Sequence, residues 1–321
     1  MPVPPTPSVS IVIPARNVGA FLDRVLLGVS SQDAGEVELE ILVADDGSTD
    51  DTPVRAAASG ATVVACIPPG GEGNPAAARN QAAELARGHI LVFLDSDCVP
   101  QPGWLRALLA RFAKGETCVG GSLELPDGLP PSARCDYYCG WYHVHAKARG
   151  GPVLNHPPGN IAVERRLFLE CGGYVVHQPL AYSHEELRWQ AELQRRGHRI
   201  YFEPSMRVDH WNRPGWGNLH RRNYRWGYPA IEAKAETGIV RWRFLYEHPL
   251  LLVAAAPFLA PAQALYIVAC WLRAGVLEPV LMLPVIFSAK CAYGVGMAVG
   301  GWRWLQRRHA PDMQGVRPKW E

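Results

Sequence analysis

Five apolar residues, Ile90–Leu94, stop abruptly at Asp95-Ser96-Asp97. A short apolar run with β-branched and aromatic members, bounded on both sides by polar residues, predicts a strand buried on both faces. Buried strands of this kind belong to open α/β sheets, where ligands bind just beyond the strands' carboxyl ends. If the backbone stays extended, Asp95 and Asp97 project to the same side. Two hard carboxylates facing one crevice suit a divalent cation that also holds phosphate oxygens. Taken alone, an Asp-x-Asp is usually a polar strand end turning the chain. What precedes it decides between the two.

Strand-like and helical patterns alternate before that point. Residues 9–13 predict a buried strand stopped by Pro14, and Phe21, Leu22, Val25, Leu26 and Val29 then share one helical face. A second strand over 39–44 breaks at Asp45-Asp46-Gly47, and Thr52-Pro53 predicts an N-cap followed by a first-turn proline. A third strand over 61–67 leads through a Gly/Pro-rich loop to a helix over 76–88, with Gly88 as its C-terminal stop. This rhythm predicts a mostly parallel sheet with right-handed crossovers. The loops after Ile13, Ala44 and Leu94 then lie on the same sheet edge.

Composition narrows the setting. The net charge of +2 is too small to imply a nucleic-acid partner. Eight scattered cysteines without a C-x-x-C pair predict reduced, buried thiols and a cytoplasmic body. The Pro-rich start lacks the cationic and apolar segments of a secretory signal, so residues 1–7 are expected to be a disordered lead.

Two functions compete for the first hundred residues. Gly71, Gly73 and Ala76 fit G-x-G-x-x-A, which suggests an NAD-dependent oxidoreductase with an acid about 20 residues on for the ribose. That loop follows the third strand rather than the first, and the reading leaves Asp45, Asp46 and the second carboxylate of Asp-Ser-Asp without a role. The other reading is a resemblance. VSIVIPARN, VADDGSTDDT, NPAAARNQAAELARG and ILVFLDSDCVP, in this order, resemble the donor half of a family 2 glycosyltransferase of GT-A fold. The resemblance implies a nucleotide-sugar donor, with Pro14 and Ala15 beside the base and Asp46 on the nucleoside, a uridine in most members. It further implies Mn²⁺ or Mg²⁺ on the diphosphate, held chiefly by Asp97 with Asp95, and Arg79 close to the donor.

The resemblance continues. Gly159-Asn160 matches the family's next landmark and places Asn160 on the sugar side of the cleft. The aromatic segment Tyr137, Tyr138, Trp141 and Tyr142 either stacks on a sugar or fills a core. In SHEELRWQAELQRRG, Glu185 and Glu186 fall on the family's Glu-Asp, whose second member is the general base that deprotonates the acceptor. Glu186 is thus the expected base and Glu185 the second choice, although Glu in place of Asp stands one methylene further out. Ser183 and Glu186 also form a capping-box pattern. His210 falls where family members return a histidine to the metal or diphosphate. Arg222, Arg225 and Trp226 resemble the Q-x-x-R-W of processive polysaccharide synthases, with Arg222 in place of Gln.

Beyond this lie two apolar stretches. Residues 249–272 carry no charge and are long enough to span a bilayer, and 279–302 carry Lys290 at the middle, which costs a few kcal/mol on insertion. Arg241 and Arg243 before the pair and Arg303, Arg307 and Arg308 after it place both ends on the cytoplasmic side. The expected organisation is a GT-A domain over 8–240, with a donor half (8–100) and an acceptor half (101–240). A membrane-associating helical hairpin over 245–305 and a basic tail over 306–321 follow. The expected activity is inverting, metal-dependent sugar transfer to a lipid-linked or cell-envelope glycan acceptor at the cytoplasmic face of the membrane. A non-catalytic nucleotide-binding GT-A protein is the remaining alternative, because the Glu-Asp motif is altered.

Overall fold

The computed structural model describes residues 8–66, 73–177, 183–239, 243–246 and 248–309. In chain order the elements are β1 (Ser8–Ala15), α1 (Phe21–Ser30), β2 (Glu38–Asp45), α2 (Thr52–Ala58), β3 (Thr62–Ala65), α3 (Pro75–Leu85), β4 (Ile90–Leu94) and β5 (Cys98–Pro100). Then come α4 (Trp104–Phe112), β6 (Cys118–Glu124), α5 (Pro131–Gly140), β7 (Gly151–Val153), β8 (Asn160–Glu164), α6 (Arg165–Glu170), α7 (Leu187–Arg195) and β9 (Ile200–His210). The C-terminal part is helical: α8 (Trp216–Gly227), α9 (Ala230–Thr237), α10 (Arg243–Tyr246), α11 (Pro249–Arg273), α12 (Glu278–Leu281) and α13 (Leu283–His309).

One sheet runs through the molecule in the order β3-β2-β1-β4-β8-β6-β9-β5, with β7 on β9. The first four strands are parallel, as their spacing predicts. Beyond β4 the sheet is mixed, because β8 runs antiparallel to both β4 and β6. The chain leaves β1 toward β2 and β3 on one side and returns to β4 on the other, which makes the β1/β4 edge the topological switch point where ligands bind. Apolar side chains of the two sheet faces form separate cores, one under α1 and α4, the other under α3, α6 and α7.

Several expectations shift. Helix α3 ends at Leu85, not Gly88: Ala86 is already extended, and Arg87 reaches out to Glu40. Gly88 instead lets the chain pass the Ser10 backbone, where a Cβ would sit 2.6 Å from the Ser10 nitrogen. Thr52 caps no helix; its hydroxyl accepts the Val18 and Gly19 N–H groups at 3.0 Å each.

The hairpin is no appendage. Helices α11 and α13 pack on α5 and α8 around Tyr137, Tyr138, Trp271 and Ile286, and on α9 around Ile231, Leu252 and Trp304. Among the described residues, Leu283–Arg307 is the helix long and apolar enough to cross a membrane, and 44% of its most apolar window is buried against the rest of the chain. This is the stretch that carries Lys290 near its middle. Lys290 points inward and is 3% exposed, so it faces the domain.

Glycines set that packing. A Cβ on Gly296 would strike the Tyr224 carbonyl oxygen, and one on Gly300 the Tyr228 carbonyl oxygen. With no side chains between them the two backbones meet directly. Gly300→Val is expected to lower stability by about 1–3 kcal/mol through overpacking, read as a fall in the unfolding midpoint. An unchanged midpoint would show that the helices part freely.

Candidate active site

The site assembles where loops leave the carboxyl ends of β1, β2 and β4. Asn17 takes a left-handed φ of 52°, a conformation that Asn tolerates better than most residues, and its side-chain oxygen accepts the Thr49 N–H at 2.7 Å. This ties the loop after β1 to the loop after β2. Asp46 sits between them, 4% exposed, its N–H bonded to the Ala15 carbonyl at 2.9 Å. Burial raises its carboxyl above the ordinary range, opposed by the Asn74 N–H and the Arg16 charge. Its Oδ1 is buried without a hydrogen-bond partner among the described residues, an acceptor left for a ligand. Pro14 and Ala15 lie within β1 and not in the loop. Pairing with β4 ends at Val12, so no ladder bond is lost at Pro14 on that side, and β1 continues on β2 alone. Arg16 and Asn17 begin the loop in their place.

At the end of β4, Asp95 and Asp97 do not share an extended backbone. The Cys98 N–H bonds back to the Asp95 carbonyl at 2.9 Å, closing a turn over the two aspartates. Asp95 meets Arg79 at 2.6 Å, and Arg79 meets Glu185 at 3.2 Å. Arg79 is 4% exposed and lies over the Tyr174 ring, with its centroid 5.3 Å away. One guanidinium thus joins the Asp-x-Asp of the donor half to the Glu-Glu of the acceptor half. Asp95 fits because residue 159 is glycine: a Cβ there would lie 2.7 Å from its Oδ2.

Asp97 has a different neighbour. β5 pairs with β9 so that Cys98 stands opposite His210, which brings His210 Nε2 to 3.8 Å from Asp97 Oδ1. His210 Nδ1 is held by Asn212 at 2.7 Å. Asp97, Cys98 and His210 offer ligand atoms within 4.8 Å of one another. Burial and both neighbouring aspartates push the Cys98 thiol far up, and its soft sulfur suits a hard cation less than the oxygen and nitrogen beside it. A carboxylate oxygen and an imidazole, with positions left for phosphate and water oxygens, fit Mn²⁺, or Mg²⁺ less closely because of the nitrogen. Of the three expected metal ligands, Asp97 and His210 are brought together and Asp95 is committed to Arg79.

Glu185 and Glu186 are 5% and 7% exposed. Burial raises both carboxyls; the Arg79 charge draws Glu185 back down, while the Glu185 charge pushes Glu186 further up. The pair therefore divides, with Glu185 the ion-pair partner and Glu186 the more basic member. The capping box does not form: Glu186 occupies the N-cap position of α7 without a side-chain cap bond, and Ser183 bonds His184 at 2.7 Å instead. His184, next to the pair, holds a left-handed φ of 64°, backbone strain of the sort that gathers at working sites.

Asn160 is a correction. It is fully buried, its oxygen accepts from Trp104 Nε1 at 2.9 Å, and its amide donates to the Ser122 and Met206 carbonyls at 3.0 and 2.9 Å. Every polar group on it is in use, so it braces β8 against β6 and β9 and has nothing left for a sugar. The aromatic segment divides: Tyr137 and Tyr138 pack on Trp271, whereas Trp141 and Tyr142 line the cleft. That cleft, about 550 Å³, is shared by Arg79, Asp97, Glu186 and His210. Its far wall carries Lys290, which local pattern could not place there.

The glycosyl transferase family 2 profile matches residues 10–171, half of the chain. Glycosyltransferase AglE of Haloferax volcanii is 26% identical over 231 residues, covering 70% of this chain and 74% of that one. The pre-mycofactocin glycosyltransferase of Mycobacterium tuberculosis is 29% identical over 213 residues, which span 63% of this chain and only 42% of that protein. The fold is similar to a mannosyltransferase from Pyrobaculum calidifontis solved with GDP-Man and Mn²⁺, at a TM-score of 0.59 and 20% identity, over 92% of this chain and 87% of that one. The oxidoreductase reading falls on the same grounds. Gly71 lies outside the described residues, β3 is an edge strand away from the switch point, and a Cβ on Gly73 would lie 2.9 Å from Asp46 Oδ2, so that glycine serves a contact within the protein. The chain belongs to glycosyl transferase family 2 and is a glycosyltransferase of GT-A fold.

Proposed function

We propose that this enzyme moves a hexose from a nucleotide-diphosphate donor, a UDP-sugar first, to a hydroxyl of a lipid-linked or cell-envelope glycan, with inversion at the anomeric carbon. The observation that carries this is one cleft lined by a metal-type Asp97/His210 pair and by a buried, basic Glu186. Asp97 and His210 would hold a divalent cation, which supplies charge neutralisation at the departing diphosphate. Asp46, with its free oxygen, receives the nucleoside. Glu186 takes the acceptor proton as the hydroxyl attacks, and Glu185 with Arg79 fixes its position. One displacement with no enzyme-bound sugar gives inversion.

A place on the cytoplasmic face of the membrane is part of the proposal. Leu251, Phe258, Leu277 and Leu281 stand 69–86% exposed along the hairpin's outer side, an apolar surface suited to lipid. The test is thermal stabilisation of the detergent-solubilised chain by UDP and GDP, each with and without Mn²⁺. A shift that needs Mn²⁺ and vanishes in Asp97→Ala is expected, with the nucleotide giving the larger shift naming the base. An Asp97→Ala chain that keeps its Mn²⁺-dependent shift would remove the metal from this position.

A further inference from the structure

The two walls of the cleft carry unequal charge. On the sheet side Asp95, Arg79 and Glu185 satisfy one another, and Asp97 faces the proposed cation. On the helical side Arg222, Arg225, Lys234 and Lys290 line the cavity. Arg222 is matched, since Asp136, 1% exposed, holds its guanidinium at 2.5 Å. Arg225 stands three residues along the same helix, on the same side, with no acidic partner among the described residues. Lys290 reaches in from α13; its ammonium donates to the neutral Asn223 oxygen at 2.9 Å and lies 5.3 Å from the Tyr293 ring centroid. An ammonium has three donors, and the nearby carboxylate that acts on Lys290, Asp136, is already ion-paired to Arg222. Lys234 adds its charge near Glu186 and Lys290. A bound diphosphate and a divalent cation cancel each other. With Arg222 matched, four lining cations have no ion pair among the described residues, Arg213, Arg225, Lys234 and Lys290, while the four lining carboxylates, Asp95, Asp97, Glu185 and Glu186, have Arg79 and the proposed cation among them.

We propose that this wall is the acceptor's anion site: Arg225, Lys234 and Lys290 hold a phosphate group carried by the acceptor, placing its hydroxyl against Glu186. The inference rests on the donor and base assignments above. It also gives the hairpin a part in recognition, because Lys290 lies on it. A phosphate can come from a lipid carrier or from a soluble phosphorylated compound, and the chemistry at the three cations is the same.

The experiment measures binding to the full chain in neutral detergent, with and without UDP and Mn²⁺. The probes are a short polyprenyl monophosphate, the uncharged polyprenol of equal length, and glycerol 3-phosphate. The wild type is expected to bind the polyprenyl phosphate at least about tenfold more tightly than the polyprenol, and Arg225→Met/Lys290→Met to lose that preference. The Mn²⁺-dependent nucleotide shift of the double variant reports that it is folded. If glycerol 3-phosphate binds as tightly as the lipid phosphate, the proposal holds with a soluble acceptor. Equal binding of polyprenol and polyprenyl phosphate by the wild type would overturn it. So would a double variant that loses the nucleotide shift while remaining folded by circular dichroism, since the cations would then serve the donor diphosphate. A wild type that prefers the phosphate but shows no nucleotide shift would keep this site and remove the donor reading.

Discussion

Glu186→Gln is expected to lower turnover by about 10²–10⁴-fold and, at the same time, to make the protein more stable at pH 8. The two effects share one cause. Burial and the neighbouring Glu185 charge raise the Glu186 carboxyl well above the ordinary carboxylate range. A group whose pKa is raised by folding holds its proton more tightly in the folded chain, so its stabilising contribution is present at low pH and is lost as pH climbs through the folded value. Gln stays neutral throughout and escapes that loss. The gain, on the order of 1–3 kcal/mol at pH 8, should shrink toward zero at pH 5, where the wild-type carboxyl is already protonated. Wild-type turnover should fall as the pH drops toward the same region, because a general base must be ionised. Initial rates and melts at the two pH values check both parts. Full turnover in the Gln variant would remove Glu186 from the base position.

Arg79→Met should be the most damaging single change to the fold, at about 3–5 kcal/mol, because it strands Asp95 and Glu185 without their cation. Glu185, whose carboxyl burial raises and the Arg79 charge draws down, would hold its proton more tightly than in the wild type. Its cost is therefore greatest at alkaline pH and recedes on acidification, when it becomes neutral. Arg79→Lys keeps the charge but not the two-pronged fork, and should fall between wild type and Met. Chemical denaturation at pH 5 and pH 8 reads all three. A Met variant equal to wild type at pH 8 would show that the two carboxyls find other partners.

The parallel half of the sheet was legible because its evidence is local: apolar runs, their length, and the polar residues that end them. The positions of Asp97, just past an apolar run, and Glu186, at the start of a helix, were legible for a related reason, whereas the roles proposed for them came from the resemblance. What escaped depends on pairing between distant segments. Arg79 meets Glu185 across 106 residues and Lys290 meets Asn223 across 67, and no periodicity encodes either. Asn160 was misplaced because a Gly-Asn after a loop has the same spelling whether the amide faces a ligand or three partners within the protein. Ser183 and Glu186 have the spacing of a capping box, but a left-handed His184 between them turns the chain so that the box cannot close. The apolar hairpin was readable as apolar, not as two-faced. Its moment is blurred because one side meets the domain and the other is exposed, and both are greasy.

Where α8 and α13 touch backbone to backbone at Gly296 and Gly300, no rotamer change can open or shim the joint. The angle between the cleft and the hairpin's outer side is therefore a property of the chain, as fixed as the set of a blade in its handle. Whatever surface that outer side rests on, the cleft mouth stands above it at one height and one tilt. On the membrane placement proposed above, this would set the length of acceptor needed between that surface and the reacting hydroxyl, and an acceptor too short to cover it is expected to be refused.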